Sequence, residues 1–489
     1  MRLSSLPWPA LPFPFARDAD DDLPPGPRAP ALVQLAQLAR DPHGYLTRLS
    51  ADYGELFTLR LPGQPPMVIV SAPDDVRKLT TAGYGELTRA ADGIRFILGD
   101  HAVILQQNTL HKETRKLLVP PFLGERMRAY GADMTRSADA TLESWRDGDV
   151  KLLHHEVQDI ALNVILRCVF GLTEAAQIDR LGRYIVEYLN AMMTPWMYGA
   201  TVLASGARVR DFLRARGRHM RAGDTPSSWP LQSIADRLGA IDAILFAEIA
   251  ACRRLPAAEL AARTDILAML VAARYDDGQA LPDDVLRDHL MTLLVGGHET
   301  TATSLSWAVD CALRHPGTIE RMRAEAADVL GDGAILDAGR VKQLAYIGAV
   351  INESMRLYPI AWTVPRALVV ATELVGHKFP AGTMVAPSIF HTQRDSRHWD
   401  EPNAFRPERF LDGKPSVYQF FPFGAGVWRC LGAQFADYEM RVVLARLVAT
   451  VDLALAGDAP TRAVMRGLTI APDNGLPVRI RRRAPRVSS

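Results

Sequence analysis

The sequence predicts a mainly α-helical domain with small β-sheets. Helical periodicity dominates the C-terminal two-thirds of the 489 residues. Strand signals are few: 56–60, 67–70, 367–374 and 478–480, short runs rich in apolar and β-branched residues. No internal repeat stands out. Length alone allows two or three domains. The residues with chemical potential run from His111 to Gly432, and they are expected to meet at one site within one domain, 30–489.

Composition narrows the function. Lysine and arginine (56) balance aspartate and glutamate (55), so nothing suggests nucleic acid. Four cysteines without paired spacing argue against a disulfide framework or a zinc site. They fit a reducing, cytoplasmic setting.

Residues 1–29 read as a flexible proline-rich tail. The apolar run from Leu6 to Phe15 is broken by four prolines. It is too short and kinked to span a bilayer, and it lacks the continuous core of a secretory signal. Peripheral membrane contact is the alternative. Further on, His111 and Arg115 share one helix face at i, i+4. The stretch from Met192 to Pro230 holds Trp196, Met197, Tyr198 and Trp229 among glycines and prolines. It is either an adaptable apolar cover or an ordinary packed loop.

Residues 282–315 read as one long helix. Pro282 suits its first turn, Asp283 and Asp284 its positive end, and Arg314-His315 precede a stop at Pro316-Gly317. Its middle runs Leu293-Leu294-Val295-Gly296-Gly297-His298-Glu299-Thr300-Thr301. Two adjacent glycines inside a helix cost about 2 kcal/mol relative to alanines. An acid and two threonines then interrupt an otherwise apolar run. A second helix, 346–357, carries Glu353 and Arg356 at i, i+3, a spacing that usually makes a weak surface pair. Phe405-Arg406-Pro407-Glu408-Arg409-Phe410 follows.

Cys430 is the most informative residue. It lies in Phe423-Gly424-Ala425-Gly426-Val427-Trp428-Arg429-Cys430-Leu431-Gly432, ahead of a long apolar pattern. Cys168, Cys252 and Cys311 sit in apolar helical stretches and read as small buried hydrophobes. Around Cys430 the glycines permit positive φ and the close approach of a flat ligand. Backbone N–H groups at a helix start lower a thiol pKa. A lone thiolate presented this way suits axial ligation of haem iron.

This loop resembles the haem-binding loop of the cytochrome P450 haem-thiolate monooxygenases. Three further elements stand in that family's order and extend the likeness over most of the chain. The 293–301 stretch is similar to the family's oxygen-activation motif. By that resemblance the glycines clear space for the ring and O2, and Glu299 and Thr300 deliver protons. The plain alternatives are an ion-paired acid and a threonine bonded back to its own helix. His298, without a partner at i+4, reads as polar lining. Glu353 and Arg356 resemble the family's Glu-x-x-Arg pair, which joins Arg409 in a buried triad that locks the thiolate loop.

The resemblance implies haem b with Cys430 as the metal ligand and Phe423, Gly426, Arg429 and Gly432 around it. It also implies His111, Arg115 and Arg366 on the propionates. One departure stands out. Two residues before the cysteine the family usually has arginine or histidine, and this chain has Trp428. Either the other three groups hold the propionates, or Arg429 reaches in. Carried over by position, Phe96, Leu294, Val295, Ala361 and Trp362 line the substrate pocket, and 192–230 forms a lid.

The implied activity is that of a bacterial-type, soluble monooxygenase. One atom of O2 enters a small apolar or amphipathic substrate, by hydroxylation or epoxidation, and the other leaves as water. The stretch 110–127 is closest to bacterial members. The chain carries no flavin or iron–sulfur half, so electrons from NAD(P)H would arrive through a separate partner, most simply a ferredoxin. Arg115, Lys116, Arg429 and Arg441 are candidates for its docking face on an enzyme expected to be a monomer. The rivals are a peroxide-using or isomerising haem-thiolate enzyme, a non-catalytic haem sensor, and a haem-free protein of the same fold. Glu299 and Thr300 argue against the first.

Overall fold

A computed structural model describes residues 22–482, apart from 90–91, 125, 193, 195–196, 198–199, 201–205, 218–223, 332–337 and 468. Residues 1–21 of the tail expected over 1–29, and Trp196 and Tyr198 of the expected lid, lie outside the described residues.

The described strands are β1 (Leu56–Leu59), β2 (Met67–Val70), β3 (Leu87–Arg89), β4 (Val150–Leu152), β5 (Arg366–Leu368), β6 (Thr372–Leu374), β7 (His377–Phe379), β8 (Met384–Pro387), β9 (Val451–Leu455), β10 (Ala463–Arg466), β11 (Thr469–Pro472) and β12 (Pro477–Arg482). The principal sheet has the order β1-β2-β8-β5-β3. Within it β2 and β8 are parallel and the other neighbours antiparallel. A three-stranded sheet, β4-β12-β9, and the hairpins β6–β7 and β10–β11 complete the β structure. The strand expected over 367–374 divides between β5 and β6, which belong to different sheets. Val369 and Val370 at the break are exposed.

Helices make the body. The long helix, Asp283–Arg314, starts just after Pro282, which occupies its N-cap. It is buried on nearly all sides, as an apolar helix at the centre of a domain must be. Its most extensive partner is the helix Leu153–Phe170. The helices Ala345–Leu357 and Ala433–Thr450 also pack on it. Leu294, Leu305, Ile165, Val350 and Val443 belong to this main core. A second core, with Tyr45, Phe57, Ile69, Trp362 and Phe390, lies against the principal sheet.

Residues 24–29 are tied to β1. Thr58 donates from its backbone to Pro25 O (3.1 Å) and from Oγ1 to Pro24 O (2.7 Å). Gln34 Nε2 donates to Pro27 O and Ala29 O. Among the described residues no helix is long and apolar enough to cross a membrane.

Candidate functional site

Cys430 lies three residues before the helix Ala433–Thr450. The loop ahead of it turns at Gly424 (φ 68°) and Gly426 (φ 64°). A Cβ on Gly426 would also lie 2.5 Å from Thr80 O, so only glycine fits there. Gly432 has φ −84° and needs no such freedom. It contributes its backbone N–H, which points at the Cys430 sulfur. Cys430 N–H donates to Phe423 O (2.9 Å), closing the loop. Cys430 is accessible, whereas the other three cysteines are buried. Although the residue reaches the surface, the protein packed around its sulfur desolvates the thiolate and raises the pKa, against the Gly432 N–H and the charges of Arg115, Arg429 and Arg89. The lowered pKa expected from a helix start is therefore not what this chain alone produces. A bound metal cation is the partner that deprotonates such a thiol.

A cationic cluster stands near the sulfur. Arg89 and Arg366 are direct partners across β3 and β5. Arg89 donates to Ile104 O (3.0 Å), and Arg366 donates to Pro365 O (2.7 Å). The Arg366 guanidinium lies 5.1 Å over the Trp428 ring. Arg115 donates to Arg429 O (2.8 Å). Among the described residues no carboxylate pairs with Arg89, Arg115 or Arg366. Burial pulls Arg89 down to about 9 and Arg366 to about 10, with Arg366 and Arg115 adding to the effect on Arg89. The Trp428 Nε1 is buried without a partner among the described residues. Three cations and an unpaired donor with no anion beside them fit the two carboxylates of a haem.

His111 takes a different place from the expected one. Its Nε2 lies 3.2 Å from Arg89 Nη2 and its Nδ1 2.7 Å from Tyr84 Oη. A guanidinium only donates, so Nε2 accepts and the ring is neutral. Burial, then Arg89, Arg115 and Arg366, push its pKa down to about 3. His111 thus brings no charge of its own and orients Arg89. Arg89 itself was missed in the sequence, where a three-residue strand gives no signal of what lies across from it.

On the long helix the two glycines do different work. A Cβ on Gly296 would meet nothing within 4 Å, and this glycine is exposed. A Cβ on Gly297 would lie 2.5 Å from Ile165 Cδ1, so Gly297 serves helix packing rather than the space over a ring. Thr300 Oγ1 donates back to Gly296 O (2.5 Å). Glu299 accepts from Gln158 Nε2, and its Oε1 lies 3.4 Å from both His154 Nε2 and Thr469 Oγ1. Burial works to raise its carboxyl, but His154, His298 and Gln158 outweigh that and hold it below the usual range. His298 is buried, and neither ring nitrogen has a partner among the described residues.

The expected lining residues scatter. Val295 is half-buried next to Gly296. Leu294 is fully buried, and it packs with Phe96 into the main core. Trp362 belongs to the second core, and Ala361 packs toward Val76, Ile389 and Phe421.

Glu353, Arg356 and Arg409 come together. Arg356 binds both carboxylate oxygens of Glu353 (2.7 and 2.8 Å), and Arg409 Nε reaches Oε1 (3.1 Å). Glu353 and Arg356 are fully buried. Arg356 also donates to Gln393 O, Pro402 O and Ala404 O. Gln393, a residue the sequence did not flag, accepts from Phe421 N–H (3.2 Å) at the base of the cysteine loop.

The expected basic docking face is mostly engaged elsewhere. Lys116 pairs with Asp276 (2.8 Å), and Arg441 pairs with Asp437 (2.9 Å). Arg115 belongs to the cationic cluster. Arg429 is exposed and lines a groove of about 580 Å³ with Lys342, Met127, Phe423 and Tyr438.

The family model described as "Cytochrome P450" matches residues 23–475. "Putative cytochrome P450 135B1" of Mycobacterium tuberculosis is 34% identical over 463 residues, 94% of this chain and 91% of that protein. "Putative cytochrome P450 137" of the same species is 32% identical over 468 residues, again 94% and 91%. Among solved structures, a retinoic acid-bound cyanobacterial CYP120A1 aligns with a TM-score of 0.76 at 24% identity, over 94% of this chain and 100% of that one. A cytochrome P450DA heme domain aligns with a TM-score of 0.79 at 21% identity, over 95% and 98%. These two likenesses speak to the fold.

Proposed function

The chain belongs to the cytochrome P450 family, and from that membership we propose that it inserts one atom of O2 into an apolar or amphipathic organic substrate. Haem b, which the Cys430 thiolate would hold, would supply the oxygen-activating chemistry. Arg89, Arg115 and Arg366 hold its propionates, and the Trp428 N–H adds one donor. Tyr84 and His111 keep the Arg89 guanidinium in place. Gly296 keeps the long helix clear of the ring. Glu299, kept ionised by its neighbours, relays protons toward Thr300, whose hydroxyl oxygen remains free to accept one. Glu353, Arg356, Arg409 and Gln393 fix the loop that aims the sulfur.

The observation that carries this reading is the carboxylate-free arginine cluster beside the one accessible cysteine. Electrons come from NAD(P)H through a separate ferredoxin-like partner. Arg429 and Lys342, on the groove below the loop, are the basic groups placed to meet it. The same reading makes 30–489 the catalytic domain of a cytoplasmic monomer.

The test is the absorption spectrum of purified, reduced, carbon monoxide-treated protein beside Cys430→Ala. The thiolate band is expected in the first and absent from the second. A band that survives in Cys430→Ala refutes the ligand assignment. Product formed with ferredoxin and reductant, but not with peroxide alone, then separates the monooxygenase from its peroxide-using rival.

A further inference from the structure

Ser306 lies two turns beyond Glu299 on the long helix. Its Oγ donates to Ala302 O at 2.8 Å, the back-bond a helical serine commonly makes. That uses its only proton. His154 Nδ1 lies 3.1 Å from the same oxygen and must therefore be the donor there. The other ring nitrogen, Nε2, lies 3.4 Å from Glu299 Oε1. A ring protonated at Nδ1 alone would turn a lone pair toward a carboxylate oxygen. His154 is fully buried, and Nε2 makes no aligned hydrogen bond. Two acceptors facing each other inside a protein are unfavourable, and one proton between them removes the conflict.

We propose that His154 and Glu299 hold one proton between them, carried on His154 Nε2, and that His154 is the positioning residue for the acid of the distal helix. The proposal rests on Glu299 as the proton-delivering group of the monooxygenase. Handing the proton over breaks one N–H bond and forms one O–H bond. An ion pair becomes a neutral pair, and no further reagent is required. His154 is fully buried and cannot exchange directly with solvent, whereas the Glu299 side chain is 26% exposed and can pass the proton on. Gln158, donating to Oε2, and Thr469, beside Oε1, keep the carboxylate turned toward His154. The neighbouring titratable groups are His298, which helps hold the Glu299 carboxyl down, and His155, whose ring centre is 6.4 Å from that of His154.

The test is two-bond proton–nitrogen NMR of ¹⁵N-histidine-labelled holoenzyme in the diamagnetic ferrous, carbon monoxide-bound form at pH 7. One ring with both nitrogens protonated is expected, and it disappears in His154→Asn. In Glu299→Gln the same ring becomes neutral and keeps its proton on Nδ1. Should His154→Asn fail to fold, Ser306→Ala makes the assignment by moving only that ring's signals. A neutral His154 in the wild type, or a ring that Glu299→Gln leaves unchanged, overturns the proposal. The carbon monoxide spectrum of the same sample keeps the two questions apart. Loss of its thiolate band strikes the monooxygenase reading, while a normal band with a neutral His154 strikes only the shared proton.

Discussion

Arg89 and Arg366 face each other in register across β3 and β5, and no carboxylate among the described residues pairs with either. Like charges directly opposite on neighbouring strands destabilise a sheet. Both guanidiniums are also substantially desolvated, which pulls their pKa values down. A sheet edge built this way costs stability until an anion arrives. The two effects of removing one charge therefore have opposite signs.

Arg89→Leu should stabilise the haem-free protein and weaken haem retention. A hydrogen bond to a charged group contributes about 1.5–3 kcal/mol, so haem loss should speed up roughly tenfold to a hundredfold. Transfer of haem to apomyoglobin measures the second effect, and thermal unfolding of the apoprotein measures the first. Unchanged haem retention would mean that the pair is not an anion site, and a less stable apoprotein would mean that the facing charges carry no cost.

Glu353 is the acid on which two arginines and the Arg406 N–H converge. Glu353→Ala leaves Arg356 fully buried and unpaired, which should destabilise the fold by about 3–5 kcal/mol. Arg409→Ala, at a partly exposed position, should cost less. Gln393→Ala cuts the link from this network to Phe421 N–H. It should loosen haem with little change in global stability. Chemical denaturation, followed by both tryptophan fluorescence and haem absorbance, separates these outcomes.

Much of this arrangement was legible because it is local in sequence. The long helix announced itself through its caps and its apolar run, and Glu353 and Arg356 sit one turn apart. Cys430 stood out because glycines surround it. What stayed hidden depends on partners distant along the chain. The strand β3 is three residues long and is defined only by pairing with β5, so Arg89 could not be matched with Arg366 in advance. His111 looked like a cation at i, i+4 from Arg115, but Tyr84 and Arg89 take both of its nitrogens. Leu294 and Val295 are adjacent on one helix, yet one is sealed in the core and the other borders Gly296. A one-residue rotation about a helix decides that, and it is set by the packing of Gly297 against Ile165.

The two glycines of the long helix should respond oppositely to alanine. Gly297→Ala places a methyl group 2.5 Å from Ile165. Overpacking of this kind typically costs about 1–3 kcal/mol. Gly296→Ala meets no neighbouring atom within 4 Å and gains roughly 1 kcal/mol of helix propensity. It should keep or raise the melting temperature while shrinking the space over the ring, so substrate-induced spin-state shifts weaken. Equal destabilisation by the two substitutions would contradict the division of roles.

Acid sensitivity follows from three histidines outside the site, His289 fully buried and His43 and His391 half-buried. Burial pushes His43 and His289 down to about 3 and His391 to about 4, with Arg394 lowering the first and third further and His101 adding to the second. The sign is fixed by the unfolded chain, where a histidine titrates near 6.5. Below that pH the unfolded state binds protons that the folded state refuses. Stability is therefore full above pH 6.5 and is lost as the pH falls toward 4. Each histidine contributes about 1.4 kcal/mol per pH unit across that window. His289 is the cleanest probe, because both its ring nitrogens are buried and have no partner among the described residues. His289→Leu should reduce the slope of unfolding free energy against pH by one proton's worth, while preserving the packing of an apolar side chain. Guanidinium titrations between pH 7 and 4.5 read that slope directly. Parallel lines for wild type and variant would show that His289 already accepts its proton in the folded protein.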